Sequence, residues 1–166
     1  MRSVVHHRPV AGRHRRRLAT RHRSLCVYDH EEIVRARGHE NVSAAHQSTF
    51  EVTTDDWLTP AGDCILAVEA DRAPASFDPA FVAACQTTDA EIRATVTVDG
   101  REWTATGRGD PQLTFDSDRS LVCRTSGYVD DRTVMVEASG AATDLDRAVA
   151  TALTEGADLT LRLRVE

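Results

Sequence analysis

Apolar and polar residues alternate along residues 158–165, DLTLRLRV, with Leu159, Leu161, Leu163 and Val165 on one edge and Thr160, Arg162 and Arg164 on the other. That two-residue period marks a strand with one face in a core. Residues 91–98, EIRATVTV, repeat the pattern, and Asp99-Gly100 behind them is the signature of a tight hairpin into a strand at 102–107. Residues 48–53, STFEVT, set Phe50 and Val52 against Thr49, Glu51 and Thr53. A first strand reads at 32–38, left by a turn at 38–42. Residues 63–70 are apolar on both faces, which predicts a central strand. Two segments read as helices instead. Asp78 before Pro79 supplies a cap and a first-turn proline for a helix burying Phe77, Phe81, Ala84 and Cys85. Residues 145–153 put Leu145, Ala148, Val149, Ala152 and Leu153 on one face of a second helix.

The order occurs twice. Residues 63–85 and 131–153 share eight identities in twenty-three ungapped positions, among them Asp63/Asp131, Val68/Val136, Glu69/Glu137 and Asp78/Asp146. Residues 120–125, SLVCRT, align with STFEVT, and the turn at 109–111 with the one that starts at Gly38. Each half, about 32–100 and 101–166, reads strand, strand, strand, helix, strand. The expectation is a single duplicated α+β domain over 31–166 with an approximate two-fold between its halves. About eight mostly antiparallel strands would form a barrel-like arrangement or a double sheet, with two helices packed on it.

Composition narrows the setting. The chain of 166 residues has 20 Arg, no Lys and 26 acids, for a net charge of −6. Residues 1–30 hold eight of the Arg and one acid, leaving twelve Arg against twenty-five acids, a net of −13, in the rest. An acidic, Lys-free body suits a salt-rich cytoplasm, where a Debye length of about 3 Å screens self-repulsion. It points to a halophilic archaeon. No segment is long and apolar enough to cross a membrane as a helix. The basic head also carries five of the seven His and has no apolar period, so it reads as a disordered extension. A nucleic-acid arm, a targeting peptide and a metal-binding His tract compete for it, but the abrupt change at Glu31 reads best as upstream sequence translated from a misplaced start. Cys26, Cys64, Cys85 and Cys123 have no CxxC spacing, so they read as free thiols and not as a zinc site or a disulfide framework.

Polar residues gather at the predicted strand ends. The first half offers His39, Asn41, His46, Thr49, Glu51, Asp63 and Cys64, and the second Arg124, Ser126, Asp131, Arg132 and Thr133. Facing each other across a two-fold, they would form one cleft with a His and carboxylate side opposite an Arg and hydroxyl side. Catalytic roles fall to His39, His46, Asp63 and Cys64, and ligand contacts to the others. The two His with Asp63 could hold a metal, although a loop pair without a third close ligand is more often two hydrogen-bonding side chains. Cys64 could be a nucleophile, but a thiol beside a carboxylate and ahead of an apolar run is more often inert. Arg124, Arg132 and Ser126 have the chemistry of an anion site, and Asp130 and Asp131 could equally pair both arginines. Gly107-Arg108-Gly109 is too short for a phosphate loop, and no cofactor motif stands behind it.

Four of these motifs, GHENVSAAHQSTFEVT, LTPAGDCILAVEA, RTSGYVDDRT and AATDLDRAVATAL, run in an order that resembles the archaeal DUF371 family over about residues 32–166. The resemblance implies an archaeal, cytoplasmic protein without an assigned activity. The motif positions it carries over are the twelve candidate site residues. The resemblance implies a His at Asp110 and a Lys at Gly140, so no role needing a cation is carried over to either position.

These readings favour a small phosphate- or carboxylate-bearing ligand, bound or acted on between the halves. The alternatives are a nucleic-acid-associated protein or a structural protein without a small-molecule site. A body of −13 with few aromatics argues against nucleic acid.

Overall fold

The structure, a computed structural model, describes residues 30–166, so the readings made on residues 1–29 lie outside the described residues. Each half gives the same order of elements. The first contains β1 (His30–Arg37), β2 (Thr49–Thr53), β3 (Ile65–Ala67), α1 (Pro79–Cys85) and β4 (Glu91–Val98). The second contains β5 (Arg101–Arg108), β6 (Ser120–Arg124), β7 (Thr133–Met135), α2 (Arg147–Thr154) and β8 (Asp158–Val165). A short 3-10 turn precedes each helix, at Pro74–Ser76 and Ala142–Asp144.

Eight strands and two helices make an α+β fold of two four-stranded sheets, ordered β1-β8-β4-β5 and β3-β2-β6-β7. Neither sheet closes, so of the two arrangements expected the double sheet is the one formed. Pairing is antiparallel except where β3 joins β2 and β7 joins β6. Each half's first strand pairs with the other half's last, β1 with β8 and β5 with β4. The halves are therefore interlaced. Apolar positions of the long strands, such as Ala94, Val96, Leu161 and Leu163, are buried, as are Phe50, Val52, Leu121 and Cys123 of the second sheet.

The local signals explain the elements. Asp78 and Asp146 each accept a hydrogen bond from the backbone N–H two residues on and so cap the helices. Buried Glu32 also accepts from the Asp78 N–H and pairs with Arg72, which fixes the approach to α1. Asp99 and Gly100, at φ 51° and 75°, form the hairpin turn between β4 and β5. Leu145 precedes its helix, and α2 buries Ala150 in place of the expected Ala148.

Two expectations are corrected. Residues 63–70 do not form a central strand: β3 covers three residues and lies at a sheet edge. Their two apolar faces arise because the chain crosses between sheets here. Val68 pairs with Arg37 at the end of β1, and Glu69 then turns with φ 55°. In the second half, Val136 pairs with Arg108 and Glu137 turns with φ 50°. The alignment of STFEVT with SLVCRT also slips by one residue. The Glu51 N–H donates to the Cys64 carbonyl and the Val122 N–H to that of Arg132, which makes Glu51 the counterpart of Val122. A one-residue shift sends every side chain to the opposite face.

The halves meet at two glycines. A β-carbon on Gly38 would lie 1.9 Å from the Leu153 carbonyl oxygen, and one on Gly109 would lie 2.0 Å from that of Cys85. Each glycine thus lets the first strand of one half pass under the helix end of the other. Gly38→Ala and Gly109→Ala should each lower stability by about 2–3 kcal/mol through overpacking against backbone. Gly127→Ala, with nothing within 4 Å, should stay within about 0.5 kcal/mol, and urea titration of the three variants checks both expectations.

Candidate functional site

Glu51 lies opposite Val122 at the centre of the β2–β6 pair, where the halves face each other. Its side chain is buried, with only 8% of the residue exposed. The Cys64 thiol donates to Glu51 Oε2 at 3.2 Å, and Arg132 Nη1 stands 3.5 Å from Oε1. Cys64 and Arg132 occupy equivalent places beside β2 and β6, so one carboxylate is held between a thiol from its own half and a guanidinium from the other. Burial, reinforced by the Glu51 carboxylate, pushes the Cys64 thiol up to about 12. At neutral pH it is protonated and a poor nucleophile.

Arg132 continues into a second knot. Its Nη2 and Nε donate to Asp130 Oδ2 at 3.1 and 3.3 Å. Arg124 Nη2 reaches the same oxygen at 2.9 Å, and Arg124 Nε donates to Thr133 Oγ1 at 2.8 Å. The Thr133 hydroxyl donates in turn to Asp130 Oδ1. Arg124, 11% exposed, also lies 4.8 Å from the centre of the Tyr128 ring. Burial opposes ionisation of Asp130, but the hydrogen bonds from Thr133 and Arg132 and the charge of Arg124 outweigh it and hold the carboxyl at about 2.

The remaining candidates stand apart. His46 Nδ1 accepts from the N–H groups of Ser48 and Thr49 at 3.2 and 3.1 Å and lies 3.1 Å from Thr49 Oγ1. It shares a shallow depression with Asp63, whose carbonyl accepts from the Ala45 and His46 N–H groups. His39 accepts from the Asn41 N–H and lines a different depression beside Glu155. Asn41 Nδ2 donates to the Leu58 carbonyl at 2.7 Å and ties down the loop after β2. Ser126 Oγ accepts from the Tyr128 N–H, and the Asp131 carbonyl accepts from that of Ser117. Among the described residues, no three His, Cys, Asp or Glu side chains are grouped to hold a metal.

A pocket lies over the β2–β6 junction, where Glu51, Cys64 and Arg132 meet. About 380 Å³ in volume, it is lined by Glu51, Cys64 and Arg132 together with Trp57, Leu58, Ile65 and Arg119. Sequence reading passed over Trp57 and Arg119. Arg119 donates to both oxygens of Asp55 and lies 5.9 Å from the Trp57 ring centre. The available signal was the matched position of Trp57 and Tyr128, each four residues beyond its strand.

The sequence pattern of the family described as a domain of unknown function, DUF371, matches residues 34–166. The chain belongs to the DUF371 family. It is 35% identical over 135 residues to the Uncharacterized protein MJ0206 of Methanocaldococcus jannaschii, an alignment covering 81% of this chain and 99% of that protein. At Gly140, where the sequence reading expected a Lys, a β-carbon would meet Trp103 Cζ2 at 2.9 Å, so the indole takes the side-chain space. At Asp110, where a His was expected, the carboxylate accepts from the Gln112 N–H and shapes a turn. No helix among the described residues is long and apolar enough to cross a membrane.

The depressed Asp130 carboxyl has a consequence for acid stability. Its folded value lies below the ordinary carboxylate value of about 3.9, so its contribution is present above about pH 4 and is lost as pH falls towards 2. Asp130→Asn should melt at a lower temperature at pH 7 and show a shallower acid limb between pH 4 and 2. Scanning calorimetry across that range checks it, and an unchanged acid limb would remove Asp130 from the titrating groups.

Proposed function

We propose that the pocket between the halves binds a small ligand carrying one anionic group and one hydrogen-bond donor. The observation that supports this most directly is Arg132. Two of its nitrogens are tied to Asp130 while Nη1 turns to Glu51 beside the pocket. That nitrogen keeps donor capacity, and Arg132 is 41% exposed. Arg119 also lines the pocket, where its charge is met by Asp55, so Arg132 is the donor turned towards a ligand. Glu51 repels an anion but accepts from a hydroxyl or ammonium, so the two groups together fix which way round a ligand lies. With Cys64 protonated and His46 Nδ1 engaged by backbone, binding is better supported than catalysis.

On this reading the candidate set divides. Glu51, Cys64 and Arg132 face the ligand, whereas Arg124, Thr133, Ser126, Asp131, Asn41 and Thr49 hold the frame. His39, His46 and Asp63 lie outside the pocket lining. The matched hydrogen bonds of the two halves support descent from a duplicated unit, with residues 31–166 as one domain. The acidic, Lys-free composition supports a cytoplasmic protein of a halophile.

A thermal-shift screen with inorganic phosphate, malonate and sugar phosphates tests the reading. Arg132→Ala should weaken the best of these about ten- to hundredfold, the range of a charge-assisted hydrogen bond of ~1.5–3 kcal/mol. If the variant binds as well as the parent, Arg132 is not the anion donor and the reading falls.

A further inference from the structure

We infer that the ligand of this pocket carries a flat aromatic ring, stacked on Trp57, in addition to its anionic group. The inference rests on the binding reading above and names the ligand class. Trp57 and Tyr128, 55% and 61% exposed, occupy matching places beyond β2 and β6, and each has an arginine against its ring. The lengths of chain behind them differ. Seven positions lead from Trp57 back to the sheet at Cys64, but only four from Tyr128 back to it at Arg132. The longer return of the first half is what walls the pocket, through Leu58, Thr59, Ala61 and Gly62.

Tyr128 closes over an arginine that is itself tied to Asp130 and Thr133, a completed structural contact that lines no part of this pocket. Trp57 instead lines the pocket, with Leu58 and Ile65 supplying apolar contact nearby. The wall is preformed: Asn41 holds the Leu58 carbonyl, and Gly62 packs so closely that a β-carbon would meet Leu58 Cδ1 at 2.6 Å. An exposed indole beside an apolar strip, with guanidinium groups within the same hollow, suits a planar ring joined to a phosphate or carboxylate. About 380 Å³ accommodates a ligand the size of a mononucleotide.

The test titrates the full chain with a nucleoside monophosphate, an aromatic carboxylate and inorganic phosphate. Calorimetry gives the affinities, and tryptophan fluorescence reports on the exposed Trp57, since Trp103 packs edge-on against Phe50. At least one ring-bearing anion should bind about tenfold more tightly than inorganic phosphate and quench the fluorescence, and which one binds identifies the source of the anion. Trp57→Ala should bring the ring-bearing anion down to the affinity of inorganic phosphate, while Trp57→Phe should keep most of the preference. Arg132→Ala should weaken ring-bearing and ring-free anions alike. Equal affinity for the three, or a preference that survives Trp57→Ala, overturns the ring while leaving the anion pocket in place. Absence of binding by every anion, with Arg132→Ala indistinguishable from the parent, overturns both.

Discussion

Two backbone contacts govern the architecture: Gly38 against the last turn of α2 and Gly109 against the last turn of α1. Both bring a strand of one half so near a helix of the other that a single added carbon would collide with a carbonyl. The close approach is held in place by hydrogen bonds, from the Gly38 N–H to the Ala157 carbonyl and from the Gly109 N–H to that of Ala90. It sets how deeply the halves interlace, and hence that β2 and β6 meet at the centre of their sheet with Glu51 facing Val122. The pocket inherits its position from that meeting.

Where pattern and local chemistry agreed, the elements were legible in the sequence. The alternating strands at 91–98 and 158–165 have the residues expected of them, and both Asp caps are used. Residues 63–70 misled because apolarity on two faces has two causes, and a chain crossing from one sheet to another mimics a central strand. The slip between STFEVT and SLVCRT came from matching the leading serines, although Phe50 with Leu121 and Val52 with Cys123 preserve the buried face. Short strands carry too few side chains for their period to resolve a one-residue ambiguity.

The site was legible by residue type and not by arrangement. Arg132, Glu51 and Cys64 come together because they flank two paired strands, a relation that sequence separation does not contain. His39 and His46 drew attention as ionisable groups, yet each Nδ1 is an acceptor for backbone N–H groups in its own turn. Arg119 and Trp57 were passed over because each sits in a run, DSDRS or TTDDW, whose polar residues read as turn formers. Their role depends on a difference in loop length that emerges only once Cys64 and Arg132 are placed as equivalents.

Interlacing also bears on how the chain comes to be folded. Among the described residues, β1 has one neighbour in its sheet, β8, which is made after every other described strand. The β1–β8 ladder therefore waits until residues 158–165 leave the ribosome, and the first half cannot complete this sheet as an early unit. Closing a loop of this span places the protein among slow folders dominated by non-local pairing. The same closure joins residues 30–37 and 158–165 through one ladder, so local fraying of either strand is opposed by the other.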